Sequence, residues 1–404
     1  VPRSAPDPRI LSALSELDPI TARLFAARGV SDPGQLDYAL SRLAPVSLLE
    51  NVDAAVDLLL AKRKSRITVV GDFDVDGATS TALLIRCLRQ FGFADVGYLV
   101  PNRFEFGYGL TPEIVRIAAE SSPALLVTVD NGISSLTGVE EANSLGIPVL
   151  VTDHHLPGDE LPDAAVIVNP NLPGSRFPSR NLAGVGVGFY LMAALGRRLE
   201  KAGLKGAARV PSQYLDLVAL GTVADVVPLD HNNRVIVDQG LRRIRAGKTV
   251  PGIEALLRQS GRQLARTTSA DLGFVAGPRI NAAGRLEDIS IGIECLLTDD
   301  MDTALHHAAI LDRLNGERRE IESTMREQAF AYVDAMDASN LPACVCVCDE
   351  SWHQGVVGLI AARVRERCHR PSIAFARESN TLLKGSARSI QGVHARDLLE
   401  AVHT

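Results

Sequence analysis

An α/β fold built on a doubly wound parallel sheet is predicted by three features of the 404-residue sequence. First, short Val/Ile/Leu runs recur: ITVV at 67–70, VGYLV at 96–100, LLVTV at 125–129, PVLVT at 148–152 and AAVIV at 164–168. Second, segments of helical length and amphipathic pattern separate them, among them ATSTALLIRCLRQF, TPEIVRIAAESS and SSLTGVEEANSLG. Third, the runs are apolar throughout instead of alternating, so both faces of their sheet must be covered, as in parallel strands joined by helical crossovers. Near the end, ACVCV, GVVGLIAARVRERC and SIAFA predict a second, smaller α/β unit, and residues 301–336 before it read as one long charged helix.

The division expected is a helical segment at 1–50, the sheet-bearing domain at 51–300, a connecting helix at 301–338 and the terminal unit at 339–404. From about 184 to 300 the chain reads as mostly helical, with LAGVGVGFYLMAALGRRLEKAG and SQYLDLVALGTVADVVPL as its clearest segments. Gly184, Gly186 and Gly188 lack the rest of a dinucleotide fingerprint and are read as close helix packing. The cluster Lys62, Arg63, Lys64 and Arg66 reads as the solvated end of a helix, and His306-His307 as surface or packing residues.

Composition excludes several classes. Hydrophobic residues are 46% and charged residues 22% of the chain, ordinary for a folded protein. No apolar run approaches the ~20 residues that span a bilayer, and VPRSAPDPR has no apolar core of a secretory leader. A formal net charge of −6 argues against coating nucleic acid by bulk charge and leaves room for a local basic channel. Cys344, Cys346 and Cys348 alternate along one strand face and no C-x-x-C occurs, which favours a reduced, cytoplasmic setting.

In open parallel sheets ligands bind beyond the carboxyl ends of the strands, so the residues after each apolar run matter most. ITVVG leads to Asp72, Asp74 and Asp76; LLVTV leads to Asp130; PVLVT leads to Asp153-His154-His155. A later helical stretch, GTVADVVP, adds Asp225. A lone Asp after a strand is usually a cap or a turn residue. Four such segments converging on one sheet edge would crowd carboxylates that only cations neutralise. A calcium loop fits Asp72 to Gly77 but needs a bidentate Glu where Leu83 stands. A phosphatase of the haloacid dehalogenase type explains only the first D-x-D. A two-metal hydrolase uses every conspicuous residue. Carboxylates with imidazole and no thiolate suit manganese or magnesium better than zinc, and phosphoester hydrolysis is the natural reaction.

DFDVDG, VTVDNG, VTDHH and GTVADVVP resemble the four ordered motifs of the DHH phosphoesterases, which Asp153-His154-His155 names. VPNRFEFGYGL, NLAGVGVGF, GPRINAAGRL and SWHQGVVGLIAARV narrow the resemblance to the RecJ branch, 5′-to-3′ single-strand DNA exonucleases, from about residue 50 to the end. The resemblance implies a DHH domain joined by the long helix to a DHH-associated domain, and two divalent ions, Mn2+ or Mg2+. It gives Asp72, Asp74 and Asp130 to one ion and Asp76, Asp130, His154 and Asp225 to the other, with Asp130 bridging. Val70 stands where many relatives have a ligand His, and Asp72 is the expected substitute. His155 is expected to face the scissile phosphate, and Asp153 to orient its neighbours.

Substrate contacts are expected from Arg279, Asn281 and Arg285 in GPRINAAGRL, where guanidinium forks can grip phosphate; for Arg279 and Arg285 a helix-surface ion pair is the competing reading. Arg103 and Tyr108 are candidates for a terminal phosphate or a base, and His353, Ser386, Arg388 and Ser389 for a nucleotide. Ala387 replaces a Gly of the family's G-S-G-R-S loop, and the chain stops at LLEAVHT before the family's G-G-H-x-x-A-A-G motif and its oligonucleotide-binding barrel, so the terminal domain is expected to be incomplete. The reading is a metal-dependent exonuclease of DNA repair and recombination, monomeric, acting on single-stranded DNA beside single-strand-binding and recombination proteins, without membrane attachment. A DHH phosphodiesterase for short oligonucleotides or cyclic dinucleotides is the alternative, and a non-catalytic replication scaffold a weaker one.

Overall fold

Five parallel strands, β1 (Arg66–Val70), β2 (Asp95–Leu99), β3 (Leu125–Val129), β4 (Val149–Thr152) and β5 (Val166–Val168), lie in the order β2-β1-β3-β4-β5 in the computed structural model. All five match the apolar runs. The structure describes residues 5–101, 107–337, 341–393, 399 and 401. Every residue of β3 is buried, which is why its sequence is apolar without alternation. From β1 the chain crosses through helix Val75–Gln90 to β2 on one side, then through Pro112–Ala119 to β3 on the other. The carboxyl ends of β1 and β3 therefore diverge, and this switch point is where such sheets hold ligands.

Apolar faces fix the layers. Ile114, Val115 and Ala118 of one helix and Val139 and Ala142 of Leu136–Ser144 pack on Val70, Leu126, Val149 and Val151. On the opposite side helix Val75–Gln90 packs with Gly184–Lys201 and Leu215–Ala224. Gly188 belongs to this contact: an added Cβ would lie 2.8 Å from Leu84 Cδ1. In the basic cluster, Arg63 is not simply solvated. Its guanidinium donates to the Phe91 carbonyl and lies 5.9 Å from the Phe93 ring centroid, stapling the turn before β1 to the end of helix Val75–Gln90.

Two units emerge, Val1–Pro278 with Gly292–Ala308, and Arg279–Ile291 with Ala309–Thr404. The first also contains the short helices Pro8–Ala13 and Pro19–Ala26, capped by Asp7 and Asp18. Helix Met301–Asp334 is continuous over 34 residues. In the second unit β6 (Val345–Asp349), β7 (Ser372–Arg377) and β8 (Leu383–Arg388) form a sheet, β6 parallel and β8 antiparallel to β7. Val345, Val347, Ala374 and Ala376 face helix Val357–Cys368 through Val357, Ile360 and Val364. Cys346 and Cys348 share the exposed face of β6. The segment LKGSARSI, which reads as a loop in the sequence, is strand for its first 6 residues, through Arg388. Its small residues let it lie close on β7, where a Cβ at Gly385 would meet Phe375 Cε1 at 2.6 Å.

Candidate metal centre

β1 ends in the buried Val70, whose side chain belongs to the core, and Asp72, Asp74 and Asp76 follow at its mouth. Asp74 caps helix Val75–Gln90: its Oδ1 accepts from the Asp76 and Gly77 amides at 2.8 and 3.1 Å. Gly77 is required because a Cβ there would lie 2.5 Å from the Asp72 backbone. Asp76 is buried in the first turn. Its Oδ2 accepts from Gly184 N at 2.6 Å and its Oδ1 from Val185 N at 2.9 Å, so the amino end of helix Gly184–Lys201 holds this carboxylate.

β3 delivers Asp130 in a left-handed conformation, φ 62°, which costs a non-glycine residue about 1–3 kcal/mol. The Asp130 amide donates to Thr152 O at 3.0 Å, and the Tyr108 hydroxyl donates to the Asp130 carbonyl at 3.3 Å. Beside it the buried Asn131 donates to both Val70 O and Val129 O, at 3.1 and 2.9 Å, tying together the diverging ends of β1 and β3.

β4 delivers Asp153. Its Oδ1 accepts from the His154 and His155 amides at 2.7 and 3.1 Å and lies 2.8 Å from His155 Nδ1, while its Oδ2 accepts from Ile133 N at 2.9 Å. Asn169 and Asn171 after β5 donate to the carbonyls of His155 and His154, at 2.9 and 2.6 Å. The loop is held from both sides, and His154 Nε2 comes within 3.0 Å of Asp130 Oδ1, 3.6 Å of Asp225 Oδ2 and 3.9 Å of Asp76 Oδ2. Asp225 directly follows helix Leu215–Ala224.

Donor atoms of Asp72, Asp74 and Asp130 lie within 4.8 Å of one another, and so do those of Asp76, His154 and Asp225. Asp130 belongs to the first set and touches the second through His154. A third grouping, Asp130, His154 and His155, also meets this distance. Burial, with Asp225 and Asp74 nearby, holds the Asp76 carboxyl well above its ordinary range; burial and the charges of Asp76, Asp74 and Asp72 do the same for Asp130. Burial and Asp74 raise Asp225 to about 7. Burial and the neighbouring His155 lower His154 to about 4, so its ring is neutral at pH 7. For His155 burial opposes the charged form, but the hydrogen bond to Asp153 and its charge, with Asp225 and Asp72, outweigh it and raise the imidazole to about 9.

The residues fit divalent cations. Asp130 Oδ1 and His154 Nε2 are buried, close and without a hydrogen bond, and stacked carboxylates with one neutral imidazole and no thiolate are a hard donor set.

Comparison with known proteins places the chain. It is 52% identical to the single-stranded-DNA-specific exonuclease RecJ of Escherichia coli (strain K12) over 398 residues, 96% of this chain and 69% of that protein. The chain belongs to the RecJ family. The RecJ of Thermus thermophilus is 35% identical across 97% of this chain and 55% of that protein. Residues 66–222 match the DHH family, N-terminal domain, and residues 340–404 the DHHA1 domain. Two solved RecJ structures align closely. The crystal structure of exonuclease RecJ bound to manganese gives a TM-score of 0.75 at 35% identity, covering 88% of this chain and 87% of that one. RecJ from Thermus thermophilus in complex with Mn2+ gives 0.82 at 32%, covering 98% and 56%.

Within this RecJ-family chain the six expected metal ligands, Asp72, Asp74, Asp76, Asp130, His154 and Asp225, are brought together, and Asp153 and His155 adjoin them. Tyr108 stands at their rim, half exposed, its hydroxyl 3.5 Å from His155 Nδ1 and its ring edge-on to Phe73. Arg103 lies outside the described residues. In the second unit Arg279 pairs with Asp312 (Nη2 to Oδ1, 2.7 Å) and is 14% exposed, the ion-pair reading instead of a free phosphate fork. Arg285 donates to Gly355 O at 3.2 Å, and His353 Nδ1 accepts from Gly355 N at 3.1 Å. Asn281 lies half-buried on helix Gly277–Leu286. On β8 Arg388 donates to Ser386 Oγ at 3.2 Å, and Ser389 donates to Val393 O at 2.6 Å.

Sequence reasoning misses part of the support. Gly184 reads as helix packing, yet its amide holds Asp76, and an added Cβ would lie 2.6 Å from Asp130 Cβ. Asn131 and the Asn169/Asn171 pair do not stand out by residue type; the signal available is Asn-x-Asn directly after β5.

Proposed function

We propose that this chain hydrolyses phosphodiester bonds of single-stranded DNA as a metal-dependent exonuclease that starts from the 5′ end. The observation that carries the reading is the pair of donor sets, Asp72/Asp74/Asp130 and Asp76/His154/Asp225, meeting at Asp130. The RecJ relatives, similar along nearly the whole chain, support a DNA strand as substrate over short or cyclic oligonucleotides.

Each residue then has a task. Asp72 and Asp74 would hold one Mn2+ or Mg2+, Asp76, His154 and Asp225 would hold the other, and Asp130 would be the ligand common to both. When bound, the ions activate water and neutralise charge developing on the phosphate during in-line displacement. His155, its ring 46% exposed and held protonated by Asp153, offers positive charge to the scissile phosphate. Tyr108, half exposed beside His155, offers its hydroxyl to a terminal phosphate or its ring to a base. Arg103, Arg279, Asn281, Arg285, His353, Ser386, Arg388 and Ser389 are the proposed contacts to the strand; for Arg279 this requires release from Asp312. Residues 51–300 act as the catalytic domain and 339–404 as the DHH-associated domain.

Among the described residues no helix is long and apolar enough to cross a membrane. The cysteines are all free, as a reducing compartment favours, and the reading extends to a cytoplasmic monomer in DNA repair and recombination, working beside single-strand-binding and recombination proteins. The test supplies manganese to 5′-labelled and 3′-labelled long single strands, a duplex, a dinucleotide and a cyclic dinucleotide. Early release of label from the 5′ end of the single strand is expected; cleavage of dinucleotides alone would sink the reading.

A further inference from the structure

Charge is distributed unevenly in this chain. Between residues 231 and 266 eight Lys and Arg face two carboxylates, in a protein of formal net charge −6, so the remainder carries an excess of twelve negative charges. This stretch is a helical lobe of the first unit: helix His231–Arg245, helix Pro251–Gln259 and the turn Leu264–Arg266. Arg245 Nε donates to Thr267 O at 2.8 Å, tying the end of the first helix to the turn. Arg242, Arg258 and Arg262 are 64%, 56% and 53% exposed, each beside a single carboxylate. Lys248 and Arg266 are exposed and have no side-chain partner among the described residues. Gly261, Arg262, Gln263, Arg266 and Asp271 line a cavity of about 210 Å³ beside the turn.

Geometry connects this lobe to the metal centre. Helix His231–Arg245 runs back along Leu215–Ala224, whose far end leads to Asp225. A Cβ at Gly240 would lie 2.3 Å from Leu215 O, and Thr249 Oγ1 and Val250 N donate to Asp216, at 2.7 and 2.8 Å. The basic end therefore sits about 15 Å, one ten-residue helix, from Asp225. A π-helical turn, Leu272–Ala276, follows the lobe. It is seated by Gly273, whose Cβ position is 3.1 Å from Val223 Cγ1, two residues before Asp225. On that turn Phe274 is 83% exposed. Basic side chains with an exposed aromatic between them and a hydrolytic centre are the elements that track a single strand.

We propose that the lobe centred on Lys248, Arg262 and Arg266 binds the phosphodiester backbone of the DNA strand several nucleotides from the scissile bond. The proposal rests on the exonuclease reading and adds a second, electrostatic contact to it. It accounts for how an acidic protein retains a polyanion, since a local excess of five positive charges, with Asp271 beside Arg262 counted against the eight cations, opposes the repulsion of the rest.

The test uses the whole chain with Lys248→Glu and Arg266→Glu together, and Lys248→Ala with Arg266→Ala as the milder pair; both sites are exposed and apart from the metal ligands. Binding of labelled single strands of about 40 and about 6 nucleotides is measured without metal across a salt series, and manganese-supported cleavage of the short strand is followed separately. Affinity for the long strand is expected to fall at least about fivefold near 100 mM salt in the Glu pair, with a shallower salt slope by about one in either pair. Short-strand cleavage should stay unchanged. Unchanged long-strand affinity and slope in both pairs overturn the proposal while leaving the exonuclease reading intact. Loss of binding to polyglutamate with DNA binding unaffected reassigns the lobe to an acidic protein and overturns it too. A wild type that neither binds nor cleaves any strand removes the exonuclease reading, and this proposal with it.

Discussion

His154 Nε2 faces Asp130 Oδ1 at 3.0 Å, and neither of these buried atoms completes a hydrogen bond. The Leu182 backbone is a partner of the His154 ring, and the neutral tautomer with its proton on Nδ1 leaves a lone pair on Nε2. Two electron-rich atoms at this separation repel unless a proton or a metal cation lies between them.

Asp130→Asn should therefore divide two effects. It removes the shared anionic ligand, so hydrolysis is expected to fall by at least about 10³-fold and manganese binding to weaken. Metal-free stability should rise, on the order of 1 kcal/mol, because a buried carboxylate crowded by Asp76, Asp74 and Asp72 has been neutralised. Thermal unfolding with and without manganese checks both. A variant that stays metal-stabilised like the wild type would remove the bridging role.

Asp225 supplies a pH prediction. Its carboxyl is raised to about 7 in the fold, against an ordinary value near 4. Its protonated form thus stabilises the metal-free protein below pH 4, and that contribution fades as pH rises through 7. His154, lowered to about 4, acts in the opposite sense, so the clean measurement is the difference between wild type and Asp225→Asn. The metal-free variant should match the wild type near pH 4 and become the more stable by roughly 1–3 kcal/mol at pH 8. Manganese binding to the wild type should release protons at pH 6–7, read by calorimetry in two buffers.

Gly184 and Gly188 lie four residues apart on one helix and separate site support from packing. Gly184→Ala places a Cβ 2.7 Å from Asp130 Oδ1 and threatens the amide that holds Asp76. Turnover should fall at least about tenfold, with a stability loss of about 1–3 kcal/mol. Gly188→Ala presses on Leu84 Cδ1, a side-chain end that can shift, and meets Leu83 Cδ2 at an ordinary contact distance of 3.9 Å. It should lower the melting temperature with much less effect on turnover. Equal loss of activity in both variants would deny Gly184 its role at the site.

The parallel sheet is legible because strands covered on both faces must be apolar throughout, and the ligands because most sit directly beyond such a run. Asp72, Asp130 and His154 need no contact information to be found. Gly184, Asn131 and Asn171 are harder: they act through backbone amides and carbonyls or through the lack of a side chain, and residue type alone does not mark those uses. β8 is expected as a loop only through its resemblance to the family's G-S-G-R-S loop; Gly385, Ser386 and Ala387 have poor strand propensity, and pairing with β7 makes them a strand. Arg279 is legible as a functional cation but not as a paired one, because its partner is 33 residues away on another helix.

That pair gives the last prediction. Arg279 Nε and Nη2 both reach Asp312 Oδ1, at 2.9 and 2.7 Å, and the guanidinium side chain is largely buried while Asp312 is 37% exposed. If the pair is chiefly structural, Arg279→Ala and Asp312→Ala should each destabilise the second unit, with a coupling energy of about 1 kcal/mol in a double-mutant cycle, since solvent screens the exposed partner. Their effects on DNA affinity should then be equally small. If Arg279 instead leaves Asp312 to grip a phosphate, the two substitutions must act oppositely on DNA: Arg279→Ala weakens binding, and Asp312→Ala strengthens it by freeing the guanidinium. Strand affinity measured without metal, beside thermal unfolding of all four proteins, decides between a strut and a clasp.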